Sequence, residues 1–320
     1  MSRTSRSSPS LASERGAEEE RPSVSIITPT LNRAQHLRRA LDSVTTQSVM
    51  PYEHIVVDGT STDGTLEVLH NYPHVMVISE PDDGLYDAIN KGIKASSGDI
   101  IGILNDDDTL LPGALEVVSK AFTEDPDAES FCGQVLVGGV DSAGDDVVIG
   151  SSRLQKLNPR AHACGSNLFN ARFFRRTVFE RVGLFEPHYR VAADTEFLGR
   201  CFLAEVSVTS RPIPVYRYGV HAEALTFHGG RADDSVIVER IGIANDHLGS
   251  LPPGPARRYW QRWLWWWTFH RLVRWRPRGG AAAMARLFVR DPTGIPDFVA
   301  QLAWHLRTRK DRQGRPVSRC

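Results

Sequence analysis

From Val24 onward the chain alternates short β-rich runs with stretches of helical periodicity, which restricts it to α/β units wound around a mostly parallel sheet. SVSIITPT, EHIVVD, HVMVISE and DIIGILN read as four strands. After the first, Leu37, Ala40, Leu41 and Val44 recur at helical spacing. TDGTLEVLHNY reads as a helix opened by Thr62 or Asp63, and DAINKGIKAS as a helix that Gly98 closes.

Beyond Pro112 the pattern predicts a helix over Gly113–Phe122, a strand SFCGQVLVGGV and a Gly/Asp-rich loop from Asp141 to Ser152. Two helices, ARFFRRTVFERVG and AADTEFLGRCFLAE, and a last β-run, VSVTSRPIPVYRY, follow, trailed by the Gly/His-rich loop GVHAEALTFHGG. The Pro-rich stretch LPPGPA marks a hinge. The organisation expected is a disordered leader over 1–22, one α/β domain over 23–250 with halves 23–125 and 126–250, and a basic, Trp-rich helical tail over 251–320.

In open α/β sheets the ligand crevice lies beyond the carboxyl ends of the strands, and three polar clusters stand at such ends. They are Pro29-Thr30-Leu31-Asn32, the run Asp58 to Asp63, and Asn105-Asp106-Asp107-Asp108. Right-handed crossovers bring such ends to one edge, so the three loops predict one site. Adjacent carboxylates repel, and burying them is costly without a compensating cation. The run Asp106–Asp108 therefore suggests Mg²⁺ or Mn²⁺ shared with substrate phosphates, while a plain helix cap is the alternative. Asp58 ends its strand where a carboxylate can accept a hydrogen bond from a nucleobase or ribose; ordinary turn chemistry is its alternative, as for Asp63.

These segments in order, with EPDDGLYDAINKGIKASSGDIIGILNDDD at their centre, resemble the nucleotide-binding half of family 2 glycosyltransferases of the GT-A fold. The resemblance implies an inverting, nucleotide-sugar-dependent enzyme. It places Pro29, Thr30, Asn32, Asp58, Asp63, Lys91, Asn105, Asp106 and Asp107 at the donor, and Asp106 with Asp108 on the metal. In VAADTEFLGR it puts Asp194 at the catalytic base, with Glu196 as the rival; positions i and i+2 of a helix point apart, so only one of the two reaches the site. The donor implied by family habit is a UDP-sugar, and the acceptor a saccharide or a lipid-linked hydroxyl in surface polysaccharide or glycan assembly. Where relatives often carry a histidine before the FFRR segment, this chain has Asn167 and Asn170, with His162 upstream; His221, His228 and Arg231 trail in the loop.

Other readings are weaker. No GxGxxG follows the first strand, which disfavours a dehydrogenase, and TPTLNRAQH contains no glycine, which disfavours a nucleotidyltransferase. A catalytically idle nucleotide-sugar-binding scaffold is the alternative from another class. The formal net charge is +0, so nucleic acid is not expected as a partner. Four scattered cysteines without CxxC spacing fit a reducing cytoplasm. No apolar run reaches the ~18 residues of a membrane span. After Pro252 the acids are only Asp291, Asp297 and Asp311, and the segment 257–278 sets Trp260, Trp263, Trp265, Trp266, Trp267 and Trp275 among arginines. Such a segment suits either a peripheral position on the inner face of the membrane or a helix buried against the domain.

Overall fold

The computed structural model describes residues 21–140, 146–151, 162, 168–220, 227–228, 231–232, 234–275, 280–290 and short pieces within 295–303. The expected leader, apart from residues 21–22, lies outside the described residues, as do Asn167 and His221 and the side chains of His228, Arg231 and Trp275.

Four strands form the parallel half of the sheet: β1 (Val24–Thr30), β2 (Glu53–Asp58), β3 (Met76–Ser79) and β4 (Ile100–Ile103), in the order β3-β2-β1-β4. Helices α1 (Ala34–Thr45), α2 (Thr65–Leu69) and α3 (Leu85–Ala95) connect them. All seven residues of β1 are buried, as expected for a central strand covered on both faces. Leu37, Ala40, Leu41 and Val44 are the buried stripe of α1, at the spacing read from the sequence. Two helix ends differ from expectation. Gly64, in the left-handed region, occupies the N-cap of α2 in place of Thr62 or Asp63, and α3 ends at Ala95, three residues before Gly98.

The remainder is less parallel than the sequence suggested. After β5 (Thr109–Leu110) and α4 (Ala114–Glu124) come β6 (Ser130–Val140), β7 (Asp146–Ser151), β8 (Arg172–Arg175), α5 (Arg176–Val182), α6 (Ala193–Leu203) and β9 (Val208–Gly219). β8 lies antiparallel to both β4 and β6, β7 folds back on β6, and β9 runs parallel to β6. The result is a mixed nine-stranded sheet; β10 (Phe227–His228) and β11 (Arg231–Ala232) make a separate hairpin. ARFFRRTVFERVG is accordingly not one helix. Its first part is β8, and the strand period of two sends Phe173 to one core and Phe174 to the other. The expected loop Asp141–Ser152 contains β7, whose hairpin with β6 was hidden by its Gly/Asp composition.

Among the described residues three further helices follow: α7 (Asp234–Ser250), α8 (Pro255–Trp275) and α9 (Gly280–Arg290). Trp260, Trp263, Trp265, Trp266 and Trp267 are all at most 5% exposed. They share one core with Phe174, Phe185 and Phe197, so these indoles pack inside the protein. Trp260 stacks on His247 of α7 at 4.0 Å, and the Trp263 indole N–H donates to the Arg240 carbonyl at 2.7 Å. Gly199 of α6 lets this happen, because a Cβ there would stand 2.8 Å from the Trp260 ring. The tail thus fixes the helix that bears Asp194. Trp260→Ala is expected to cost about 3–5 kcal/mol through the cavity it leaves, read as a lower midpoint in urea unfolding.

Candidate active site

A cavity of about 370 Å³ opens beyond the carboxyl ends of β1 and β4. Of the residues expected at the site, Pro29, Thr30, Asn105, Asp106, Asp107 and Asp194 line it. Asn32, Asp58, Asp63, Lys91 and Asp108 do not, and their contacts show what they do instead.

Asn32 and Asp63 lace the first two loops together. Asn32, at φ 54°, accepts a hydrogen bond from the Thr62 N–H at 2.8 Å and donates its own N–H to Ser61 Oγ at 2.7 Å. Asp63 accepts from the Ala34 N–H at the start of α1 and from the Thr65 hydroxyl. Those bonds, the Thr65 hydroxyl first, hold its carboxyl below the ordinary value. Asp58 is fully buried, accepting from the Ser79 hydroxyl at 2.7 Å and the Ser61 N–H at 3.2 Å, so it organises the second loop. Lys91 donates to the Pro81 carbonyl at 2.6 Å and pairs with Glu80 and Asp87, which steadies the loop after β3.

The acidic run divides. Asp108 is 1% exposed and is engaged on both oxygens: Oδ1 accepts from the Gly219 N–H at 2.7 Å, and Oδ2 from the Tyr216 hydroxyl at 2.6 Å, Asn105 at 3.0 Å and Asn170 at 3.3 Å. Burial, with the charge of Asp107 second, pushes its carboxyl up to about 8. It ties β9 to the loop behind the cavity wall. Asp106 and Asp107 face the cavity. Burial first, then the Asp107 charge, raises Asp106 to about 7, against the opposing pull of Thr30 and Arg33. The Thr30 hydroxyl is buried beside it without a hydrogen-bond partner of good geometry. A buried carboxyl of raised affinity for protons, a second carboxylate and a buried hydroxyl on one cavity wall fit a hard divalent cation. Among the described residues no three His, Cys, Asp or Glu side chains converge as a ready-made ligand set.

Asp194 is held for a different task. Its Oδ1 accepts from the Thr195 N–H at 2.6 Å and the Thr195 hydroxyl at 3.0 Å, and the Tyr86 hydroxyl bonds to the same carboxyl. Burial raises its proton affinity, partly offset by the positive charge of Arg240 and by these hydrogen bonds. Glu196 points away and is 1% exposed, gripped by Arg200 at 2.8 Å and His247 at 2.9 Å. Burial pushes its carboxyl up, but the bonds from His247 and Arg200 prevail and hold it below the ordinary value. Its ion pairs brace α6 against α7. Glu196→Ala takes the carboxylate from half-buried Arg200, which keeps its bonds to the Val182 and Leu184 carbonyls, and is expected to cost about 1–3 kcal/mol in chemical unfolding while nucleotide affinity stays unchanged.

Sequence reasoning missed several residues that shape the cavity. Tyr86, Asp82, Gly84 and Phe185 line it, and Arg190 bridges its rims, its guanidinium donating to the Asp83 carbonyl and its N–H to Glu239 at 2.5 Å. Gly84 adopts φ +112°, and a Cβ there would stand 2.8 Å from the Arg190 guanidinium. The D-G pair at Asp83-Gly84 was a visible turn signal; the partner Arg190, more than 100 positions on, was not.

An acid-lined crevice at the strand ends of a mixed sheet, with a half-buried carboxylate on an adjoining helix, defines a GT-A-type fold. The profile of Glycosyl transferase family 2 matches residues 25–183. A PGL/p-HBAD biosynthesis glycosyltransferase of Mycobacterium bovis is 30% identical over 68% of this chain and 82% of its own. A Pasteurella multocida chondroitin synthase is 38% identical over 32% of this chain and 11% of its own. Crystal structures of Staphylococcus aureus TarS residues 1–349, in complex with UDP and with UDP-GlcNAc, superpose with TM-scores of 0.58 at 18% identity. They cover 80% and 79% of this chain, and 74% and 73% of the TarS chain. The protein belongs to glycosyltransferase family 2, with relatives in glycan and polysaccharide synthesis.

Proposed function

We propose that the protein is a metal-dependent, inverting glycosyltransferase that moves a sugar from a nucleotide-diphosphate donor to the hydroxyl of a saccharide or lipid-linked acceptor. The observation that carries the reading is that Asp106, Asp107 and Asp194, remote in sequence, line the same cavity. A UDP-sugar is the favoured donor, in keeping with the UDP and UDP-GlcNAc in the TarS crystals, and surface glycan or glycolipid assembly fits the mycobacterial relative.

In this mechanism Pro29, Thr30 and Asn105 position the donor, with Asn32, Asp58 and Asp63 holding the loops that present them. Asp106 and Asp107 would hold Mg²⁺ or Mn²⁺. Bound there, the cation supplies positive charge to the diphosphate leaving group. Asp194 takes the proton of the acceptor hydroxyl while that oxygen attacks the anomeric carbon from the face opposite the leaving diphosphate. Tyr86 and Thr195 orient the carboxylate, and its raised proton affinity makes it a stronger base than a surface carboxylate.

Nucleoside diphosphate release from UDP-, GDP- and dTDP-sugars, with Mn²⁺ or chelator, separates this from the scaffold reading. The transferase releases the nucleoside diphosphate from one donor in a metal-dependent way, and an idle binding protein releases none under either condition.

A further inference from the structure

The charge of the chain is divided between its two parts. Residues 252–320 carry 15 Lys and Arg against 3 Asp and Glu, and the preceding 251 residues carry 23 against 35. A protein of zero net charge therefore joins a body of −12 to a tail of +12. Trp260, Trp263, Trp265, Trp266 and Trp267, expected to meet lipid, are not the exposed part of this tail, being packed inside it. Its outer surface is built differently.

On α9, Ala282, Ala285, Arg286 and Val289 are exposed and fall at i, i+3, i+4 and i+7, so they share one side of the helix. Val289 is 83% exposed, whereas Met284 is buried and Phe288 packs on Trp265 at 5.1 Å. The next segment, which carries Asp297 and no arginine, also turns aliphatic side chains outward. Phe298 is buried against Trp265 and Phe269, and Ile295 and Val299 are exposed at 36% and 56%. The helix contains no Asp or Glu. A solvent-facing helix side ordinarily carries polar residues and charges of both signs. This side offers aliphatic groups and arginine alone.

We propose that α9 and the segment 295–299 form a docking surface for an anionic lipid bilayer. Aliphatic side chains can enter the boundary between headgroups and acyl chains while arginines meet lipid phosphates, the arrangement of helices that lie in the interface. Charge complementarity selects this occupant and also its orientation: the +12 tail is drawn to the anionic surface, and the −12 body is repelled from it. Arg286 and Val289 project from a helix that packs on α8, whose Trp260 lies over Gly199 of α6. The membrane surface is thereby coupled through packed helices to the element bearing Asp194.

Flotation of the full chain tests this, using vesicles of phosphatidylcholine alone and of phosphatidylcholine with phosphatidylglycerol, at low and high salt. The protein is expected to float with the anionic vesicles only, and less at high salt. The double variant Val289→Asp/Val299→Asp is expected to lower partitioning on the order of tenfold. Arg286→Glu is expected to act in the same direction, and all variants keep the wild-type melting temperature because the three side chains are exposed. No flotation, equal flotation with neutral vesicles, or undiminished binding by the double variant overturns the proposal. Retention on heparin or RNA without flotation assigns the tail to another polyanion and overturns it as well.

Discussion

Asp194→Asn is expected to lower kcat by about 10²–10⁴-fold, the usual contribution of general acid–base catalysis, with donor affinity unchanged. Asparagine preserves the shape and an acceptor for the Thr195 and Tyr86 bonds but cannot take a proton. Burial raises the Asp194 carboxyl above the ordinary carboxylate value, so the acid limb of the wild-type pH–rate profile is expected to lie above that value and to vanish in the variant. Stability should move the opposite way. Because the fold favours the neutral carboxyl, the wild type is stabilised by it at low pH, and this contribution is lost as pH rises through the folded value. Asp194→Asn escapes that loss, and its melting temperature above neutral pH is expected to exceed that of the wild type. Paired kcat and melting measurements across pH check both statements, and a variant that is inactive but also less stable at high pH would contradict the second.

Asp106→Asn is expected to weaken Mn²⁺-dependent nucleotide binding by more than the ~10–100-fold that loss of an outer-shell partner causes. The variant removes a cavity-facing carboxyl that burial and the Asp107 charge hold well above the ordinary carboxylate value. With Asp106 raised to about 7, the metal-free site holds a proton at mildly acidic pH, which an entering cation must displace. Wild-type metal affinity is therefore expected to fall by about tenfold per pH unit below that value, with close to one proton released per ion. Calorimetric titrations in two buffers of different ionisation enthalpy count that proton directly. The same shift sets a stability window: without metal, the favourable neutral carboxyl is lost as pH rises from the unfolded value near 3.8 to the folded value about 7.

The parallel half of the fold was legible because its signals are local. Buried strands are short apolar runs, the helices between them carry a stripe at a spacing of 3.6, and polar clusters end each strand. The antiparallel half hid for physical reasons. Arg172–Arg175 resembles the start of a helix, and only pairing with β4 and β6, set by contacts 40 or more positions away, makes it a strand. β7 lies in a Gly/Asp-rich stretch whose composition reads as loop.

The candidate site divided along the same line. Thr30, Asp106 and Asp107 were found from residue type and position at the strand ends, and Asp194 through the family resemblance, and each lines the cavity. The work of Asp108 depended on Tyr216 and Gly219, which arrive from a strand some 110 residues later, so nothing near the acidic run could distinguish it from its two neighbours. Asp58 shows the same effect: its strand-end position is visible, while its commitment to Ser79 requires the neighbouring strand β3. For the Trp-rich tail, hydropathy alone could not separate a buried helix from an interfacial one. Small residues such as Gly199, which admit Trp260, decide it.

The most direct test of the account is calorimetric titration of UDP, GDP and dTDP into the wild-type protein with Mn²⁺ and with chelator. The expected result is metal-dependent binding of one nucleotide, UDP before the others, at a single site. Absence of binding for all three in both conditions would contradict the donor site and the metal role of Asp106 and Asp107.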